Sequence, residues 1–262
     1  MRRLVAGTGW KMNIGAAETA RYAAALLPRL TPAIRDQVEM FVLPPFTSLH
    51  QARAAFASSP VGIGAQNMHW EAAGAWTGEI SAPMLAEAGC RYVELAHSER
   101  LQHFGETYEL VRRKLNAAIA HSLTPVLCLG ETAEDKQRGA SDSVLIEQMS
   151  VALADQAASH AAAVILAYEP RWAIGAAAAA PPDYVAERHR ALRGAVKERY
   201  GAQAAAQVRI VYGGSVTPDN GEALMAQADV DGLFVGRAAW TPKGFAEIAA
   251  IVARAATERA ST

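Results

Sequence analysis

Cysteine is scarce in this chain: Cys90 and Cys128 are its two cysteines, and they form no Cys-x-x-Cys pair. This scarcity argues against a secreted framework held by disulfides and fits a reducing compartment. Charge of one sign is lacking as well, because 25 Lys and Arg residues face 26 Asp and Glu residues, for a formal net charge of -1. With no acidic or basic tail, the composition indicates neither a nucleic acid nor an anionic membrane as a partner.

Long apolar runs are also missing. The best run is ended by Glu169 and Arg171 and falls short of the roughly 18 residues expected of a membrane span. After Arg2 and Arg3 the apolar stretch is only Leu4–Ala6, whereas a signal peptide needs an apolar core of roughly 7–15 residues. We therefore expect a soluble, cytoplasmic protein.

What the sequence does contain is a regular alternation of short apolar segments with longer alanine-rich segments. The short segments are rich in Val, Ile and Leu and do not alternate with polar residues, which is typical of strands covered on both faces. The predicted strands are Leu4–Ala6, Glu39–Leu43, Val61–Ala65, Tyr92–Leu95, Pro125–Leu129, Val164–Tyr168, Arg209–Tyr212 and Gly232–Val235.

The alanine-rich segments carry charged residues on one face, which indicates amphipathic helices. Asp183 follows two prolines and is expected to cap the last of the clearest examples. These predicted helices are Ala16–Leu27, Glu106–Ala120, Ser141–Ala157 and Tyr184–Arg199.

Strand-then-helix order repeats at roughly 30 residues per unit, which predicts a parallel sheet with helical crossovers. About eight such units favour an α/β fold of the closed (β/α)₈ barrel type, and single barrels commonly run to roughly 250 residues. A doubly wound open sheet is the alternative. No linker or low-complexity tract divides the chain, so we expect residues 1–262 to form one domain.

Polar residues of unusual kinds gather where the predicted strands end. In a parallel barrel these junctions form the working face. Lys11 follows the first strand, His97 the fourth and Glu169 the sixth, while glycine-rich turns follow the seventh and eighth. A lone lysine is usually just solvated and a lone histidine often only starts a helix, but Glu169 at the mouth of an apolar strand is partly desolvated, which strengthens it as a base.

These polar residues belong to ordered strings spread along the chain: GxGWKMN at 7–13, AQN at 65–67, GAWTGEIS at 74–81, AHSER at 96–100, FGE at 104–106, CLGET at 128–132, AYEPRWAIG at 167–175, YGGSV at 212–216 and DGLFVG at 231–236. Taken together, the strings resemble the triosephosphate isomerase family from Gly7 to about Trp240. The ordered matches are too numerous to arise by chance.

The resemblance implies a cofactor-free, metal-free isomerase of small sugar phosphates, with triose phosphates as the default substrate and a place in glycolysis and gluconeogenesis. By it, Glu169 is the general base, His97 a neutral electrophile and Lys11 the cation at the substrate oxygens. The residues implied as phosphate ligands are Gly175, Ser215, Gly236 and Arg237, and the segment from Pro170 to Ala180 is implied to be a closing lid.

Further positions follow from the same resemblance. Ser98, Glu99 and Cys128 match residues just behind the catalytic groups, although a small buried strand residue explains Cys128 equally well. Residues 67–80 resemble a long loop that reaches into a partner subunit. Thr77 would be its tip and would support Lys11 across the interface, so a homodimer is implied.

The match is imperfect at several places. Gly9 stands where the family usually has Asn beside the reacting carbons, and Arg237 replaces a glycine near the phosphate. In the implied lid, Arg171 takes a position common for a small aliphatic residue, Ala177 replaces a glycine, and Ala178–Ala180 replace a segment that usually contains Lys.

Gly9, the Asn67–Trp70 string, Trp76 and the ending Gly236–Trp240 resemble a branch that includes isomerases of four-carbon ketose phosphates in erythritol breakdown. Loss of the Asn side chain would make room for one more hydroxymethyl carbon. A tetrulose phosphate (L-erythrulose 1-phosphate or D-erythrulose 4-phosphate) is therefore the alternative substrate.

Other classes remain open at this stage. A Schiff-base aldolase in a similar barrel would need a lysine at the end of a strand, where this chain has Glu169. A metal-dependent barrel would need clustered ligands, but the seven histidines are scattered. A non-catalytic phosphate-binding barrel is the third alternative, and the joint presence of Lys11, His97 and Glu169 counts against it.

Overall fold

The protein is described by a computed structural model that covers residues 2–174 and 179–261. Eight parallel strands pair in chain order and close into a barrel, because β1 pairs with both β2 and β8. The closed (β/α)₈ barrel is confirmed and the open sheet is excluded. The strands are β1 Leu4–Gly9, β2 Val38–Leu43, β3 Val61–Ala65, β4 Tyr92–Leu95, β5 Thr124–Leu129, β6 Ile165–Tyr168, β7 Arg209–Tyr212 and β8 Gly232–Val235.

Helices surround the barrel. In the described residues they are α1 Ala16–Leu26, α2 Pro32–Gln37, α3 Leu49–Phe56, α4 Ala82–Glu87, α5 Ser98–His103, α6 Tyr108–Ala120, α7 Ala133–Gln137, α8 Ser141–Ala152, α9 Ala158–Ala163, α10 Pro182–Gln207, α11 Pro218–Met225 and α12 Pro242–Ala260. None of them is long and apolar enough to cross a lipid bilayer.

The sequence prediction was wrong at some helix ends. The helix expected from Glu106 begins at Tyr108, because the Thr107 side chain accepts a hydrogen bond from the Leu110 N–H and caps it. Asp183 is not the cap of α10: it lies inside the first turn, where its carboxylate accepts from the Tyr184 N–H, and Pro181 precedes the helix.

Side chains alternate between two cores, as the two-residue period of a strand requires. One set packs outwards against the helices, as Val93 and Leu95 of β4 do. The other set fills the barrel interior and consists of Val5, Phe41, Leu43, Tyr92, Val126, Cys128, Ile165, Ala167, Val211 and Phe234. By the same parity, Gly9, Glu94 and Glu169 face the interior at its upper end, where the strands finish.

The end of α6 offers a test of local stability. Leu123 N–H donates to the Ala118 carbonyl and Ser122 N–H to the Ile119 carbonyl, which is the Schellman arrangement, and Ser122 has a left-handed φ of 59°. A side chain at such a φ costs about 1–2 kcal/mol. We expect Ser122→Gly to raise the free energy of unfolding by about 1 kcal/mol in urea titrations. Ser122→Ala keeps the Cβ and should give no gain, and equal gains in both variants would contradict the explanation.

Candidate active site

A cavity of about 580 Å³ opens at the end of the barrel where the strands finish. It is the edge at which ligands bind in parallel barrels. The residues that line it come from the ends of five different strands. Those used below are Gly9, Lys11, Glu94, His97, Glu99, Glu169, Gly213, Ser215, Phe234, Gly236 and Arg237.

Lys11 is held in position through its backbone. Its φ of 52° is left-handed, and the Gln66 side-chain amide fixes the turn by donating to the carbonyls of Lys11 (2.9 Å) and Leu43 (2.8 Å). The Lys11 ammonium donates to Glu99 Oε1 at 2.6 Å. Burial is the largest single effect on Glu99 and opposes its ionisation, but the hydrogen bond from Lys11 and the charges of the neighbouring basic groups together outweigh it and lower the pKa of that carboxyl. The Lys11 cation therefore enters the cavity already paired.

His97 immediately precedes α5 and caps it. Its Nδ1 accepts a hydrogen bond from the Glu99 N–H at 3.2 Å, so in the neutral ring the hydrogen must sit on Nε2. Nε2 lies 3.8 Å from Glu169 Oε2. Burial, followed by repulsion from Lys11, lowers the pKa of His97 to about 4. The ring is thus a neutral donor that points at Glu169.

Glu169 follows β6 and is 4% exposed. Its Oε2 is buried without a hydrogen-bond partner among the described residues. Burial, and next the charge of Glu94, raises the pKa of Glu169 well above its usual value. The carboxylate fits because residue 213 is glycine: a Cβ there would lie 2.7 Å from Glu169 Cγ. A carboxylate this poorly solvated is a strong base towards a bound ligand.

Behind Glu169 lies a second buried carboxyl that the sequence analysis missed. Glu94 Oε1 accepts a hydrogen bond from the Cys128 thiol at 3.9 Å. Burial raises the pKa of Glu94 to about 8 and also raises the pKa of Cys128. Glu94, Cys128 and Glu169 each offer an atom within 4.8 Å of the others, so in the described part of the chain they form a set able to hold a cation. That the protein uses no metal stays a prediction. In the sequence, the one sign of Glu94's role is that it is a charged residue inside an otherwise apolar strand.

The part of the cavity next to Glu169 is built from the ends of β7 and β8, since β7 pairs with β6 and β8 pairs with β7. Ser215, Gly236 and Arg237 all line it, and a Cβ on Gly236 would have no atom within 4 Å, so the backbone there is open. Arg237 is exposed and begins the 3₁₀ turn Arg237–Trp240. Gly175, the fourth expected phosphate ligand, lies outside the described residues, as do Ala176–Ala178 of the expected lid.

Two further expected residues lie around this centre. Ser98 is half-buried and begins α5 directly after His97. Thr77 is exposed on the loop 67–80 and is not among the residues that line the cavity of its own chain. The structure therefore brings together Lys11, His97, Glu99, Cys128 and Glu169 within one chain, and leaves Thr77 outside.

Glu131 is another residue that the sequence analysis did not single out. Its Oε1 accepts hydrogen bonds from the Tyr168 hydroxyl (3.0 Å), the Trp172 indole (2.8 Å) and the Tyr184 hydroxyl (2.9 Å). The Lys136 ammonium stacks on the Trp172 ring at 3.5 Å. One carboxylate thus ties the end of β6 to the start of α10. Glu131 lies in the CLGET string at 128–132, of which the sequence analysis assigned a role only to Cys128.

The family model for triosephosphate isomerase matches residues 4–252. The chain belongs to the triosephosphate isomerase family. An L-erythrulose-1-phosphate isomerase of Rhizobium etli is 46% identical over 261 residues, covering 97% of this chain and 94% of that protein. A triosephosphate isomerase of Symbiobacterium thermophilum is 44% identical over 255 residues, covering 97% and 99%. An L-erythrulose-1-phosphate isomerase of Rhizobium meliloti is 46% identical over 252 residues, covering 95% and 96%.

Membership of the triosephosphate isomerase family confirms the family, the fold and the enzyme class expected from the sequence. Relatives of nearly equal identity carry two different names within this family. The choice of substrate therefore has to be argued from the cavity itself.

Proposed function

We propose that the chain interconverts dihydroxyacetone phosphate and glyceraldehyde 3-phosphate through an enediolate. The observation that carries the proposal is the meeting of Glu169, His97 and Lys11 in one cavity, with a buried base 3.8 Å from a neutral imidazole. This pairing suits removal of a proton next to a carbonyl, because that proton is too weakly acidic unless charge on the oxygens is stabilised as it leaves.

In this mechanism Glu169 takes the proton from the carbon beside the carbonyl. The Nε2–H of His97 and the Lys11 ammonium stabilise the two enediolate oxygens, and Glu169 then returns the proton to the neighbouring carbon. The neutral ring suits this role, because its single Nε2–H is directed by the bond that Nδ1 accepts from Glu99. No redox partner is needed, since two protons and one electron pair move within the substrate: Glu169 carries one proton from carbon to carbon, and the hydroxyl proton passes from one enediolate oxygen to the other.

The phosphate is proposed to bind at the ends of β7 and β8, to Ser215, Gly236 and the backbone of Arg237, with Gly175 from the other side. Backbone N–H groups of glycine-rich turns are suited to an anion. We expect Ser215→Ala to raise KM about tenfold, as for loss of a hydrogen bond to a charged group, with kcat within a few-fold. The inhibition constant of sulfate should rise in parallel. A wild-type KM would remove Ser215 from the phosphate site.

One observation favours the second candidate, a four-carbon ketose phosphate. A Cβ added at Gly9 would only touch its neighbours, with Phe234 Cζ at 3.5 Å and Glu94 Oε2 at 3.6 Å, so an uncrowded space lies beside the site. An extra hydroxymethyl group needs such a space. Relatives named L-erythrulose-1-phosphate isomerase, at 46% identity, add support.

A side-by-side assay separates the candidates: turnover of dihydroxyacetone phosphate, L-erythrulose 1-phosphate and D-erythrulose 4-phosphate by the same preparation. We expect Gly9→Asn to lower the ratio of tetrulose to triose turnover at least tenfold, because a side chain would fill the space, whereas Gly9→Ala adds one carbon and should change it less. An unchanged ratio in Gly9→Asn would exclude Gly9 as a determinant. No turnover of any of the three substrates by the wild type would support the non-catalytic phosphate-binding barrel.

A homodimer in the cytoplasm is also proposed, with Thr77 reaching Lys11 and His97 of a partner subunit. Two apolar side chains support an interface: Met12, next to Lys11, is 96% exposed and Phe104, after α5, is 67% exposed. Sedimentation equilibrium tests the assembly. A monomer with full activity would exclude the proposed contribution of Thr77 to the partner's site.

If the chain turns over the triose phosphates, its proposed place is in glycolysis and gluconeogenesis.

A further inference from the structure

Glu94 occupies an unusual position for a carboxyl group. It lies in β4 with the parity of Tyr92, whose side chain belongs to the apolar core inside the barrel. Only 6% of the residue is exposed, and that part faces the cavity, since Glu94 is among the residues that line it. A polar group in such a place costs several kcal/mol unless it is hydrogen-bonded.

The hydrogen-bond partner of Glu94 does not meet that cost. In the described residues it is the Cys128 thiol, 3.9 Å from Oε1, and a thiol is a weak donor. Lys11, the nearest cation of the site, is bound to Glu99 instead. A buried carboxyl so poorly satisfied and open to a cavity calls for a partner that arrives with the ligand.

The space next to Glu94 is the space left by Gly9. A Cβ at residue 9 would lie 3.6 Å from Glu94 Oε2 and 3.9 Å from Oε1, so nothing but a glycine separates the carboxyl from that part of the cavity. The pocket beside Gly9 therefore has one apolar wall, Phe234, and one hydrogen-bonding wall, Glu94. Such a pocket suits a hydroxymethyl group better than a methyl group.

We propose that Glu94 is a specificity-determining residue, which binds the additional hydroxyl of a four-carbon ketose phosphate in the space beside Gly9. A hydroxyl group both donates and accepts, so it can satisfy the carboxyl whether or not that carboxyl carries a proton. A three-carbon substrate lacks this hydroxyl and leaves Glu94 as it is in the free protein. The inference rests on the sugar-phosphate isomerase function proposed above and names the residue that selects among its substrates.

A different explanation is that Glu94 acts only through its neighbour. Its charge bears on Glu169, and removing it would then alter proton transfer from every substrate by the same factor. Substrate dependence separates the two roles. A hydroxyl-binding residue affects four-carbon ligands more than three-carbon ligands, whereas a residue that acts only through the base affects three-carbon and four-carbon substrates equally.

The experiment compares the wild type with Glu94→Met, which keeps an unbranched chain of similar size, and with Glu94→Gln. For each protein, kcat/KM is measured for dihydroxyacetone phosphate and for L-erythrulose 1-phosphate. Binding is measured by calorimetry with two unreactive probes, glycerol 3-phosphate and erythritol 1-phosphate, which differ by one CHOH unit and lack the carbonyl.

We expect Glu94→Met to lower kcat/KM for L-erythrulose 1-phosphate about 10- to 100-fold and to weaken erythritol 1-phosphate by a similar factor, as for loss of a hydrogen bond to an ionisable group. Glycerol 3-phosphate binding should stay within about threefold. Any change in kcat/KM for dihydroxyacetone phosphate reports the effect of Glu94 on Glu169, so the ratio of four-carbon to three-carbon kcat/KM is expected to fall about 10- to 100-fold. Glu94→Gln, which keeps size and hydrogen bonding, should lower this ratio less. If Glu94→Met does not fold, a fall of the same ratio in Glu94→Gln, with weaker binding of erythritol 1-phosphate but not of glycerol 3-phosphate, carries the test.

Two results would overturn the inference. The first is an equal change in kcat/KM for both substrates, which would mean that Glu94 acts only through Glu169. The second is a wild type that turns over the triose phosphate but neither binds nor turns over the four-carbon compounds, in which case the proposed isomerase function stands and the role of Glu94 falls. Failure of the function itself has a different signature: no turnover of either substrate by the wild type.

Discussion

Glu169→Gln is expected to lower kcat at least about 10²- to 10⁴-fold, the contribution typical of a general base, without loss of the fold. The amide has nearly the same size as the carboxylate, and Gly213 leaves the room that the side chain needs. The amide cannot accept the proton, however, so the enediolate does not form. Turnover of both candidate substrates and far-ultraviolet circular dichroism are the measurements.

The matched control is Glu198→Gln, an exposed carboxylate on α10, which should leave kcat unchanged. Binding of glycerol 3-phosphate should survive in Glu169→Gln within a few-fold, because the phosphate is proposed to bind to Ser215, Gly236 and Arg237 and not to Glu169. Wild-type turnover in Glu169→Gln would refute its assignment as the base.

His97→Gln is the second substitution with a large expected effect. Removal of one donor aimed at a developing oxyanion typically costs about 10²- to 10³-fold in kcat. Gln retains a donor but loses the fixed direction that the Glu99 N–H imposes on the imidazole ring. His103→Gln, an exposed histidine at the end of the same short helix, is the control and should keep kcat.

Nitrogen-15 NMR of the ring checks the physical basis of that prediction. The pKa of His97 is lowered to about 4 by burial and then by Lys11, so the ring stays neutral as pH rises from about 5.5 to 8. His97 leaves folding stability unaffected above about pH 6.5, and stability falls as pH drops from about 6.5 towards 4, because there the unfolded chain binds the proton and the folded chain does not. We expect a protonated Nε2 and a bare Nδ1 over that range. A titration near pH 6.5 would contradict the assignment.

The barrel was predictable because each strand is short, apolar and bounded by polar turns. β3, β4, β7 and β8 have the bounds expected from sequence. The gathering of Lys11, His97 and Glu169 followed from one rule, that parallel strands end at a common edge. The prediction that Asp183 caps α10 was wrong: the helix begins one residue earlier, at Pro182, and the Asp183 carboxylate accepts a hydrogen bond from the Tyr184 N–H. The residue pattern alone does not show this.

Glu94, Gln66 and Glu131 were not predictable in the same way. Each acts through contacts between strands or helices far apart in the chain, as Gln66 does when it binds the carbonyls of Lys11 and Leu43. Such contacts depend on the register and curvature of the closed barrel, which residue types alone do not encode. The apolar run around Glu94 predicted a covered strand. That its carboxyl borders the cavity beside Gly9 is visible only in the folded barrel.

The triple hydrogen bond at Glu131 has an energetic consequence for the segment that follows Glu169. Moving Trp172 away breaks a hydrogen bond to a carboxylate and the contact with Lys136, at a cost of about 2–4 kcal/mol together. Before a ligand arrives, a rearranged Trp172 would therefore be occupied at about 0.1–3%. A ligand that binds only with Trp172 rearranged must return that energy through contacts made afterwards, and its apparent affinity is lowered by the same fraction. Glu131 thus keeps Trp172, and with it the start of the segment after Glu169, in its observed position unless a ligand supplies that energy.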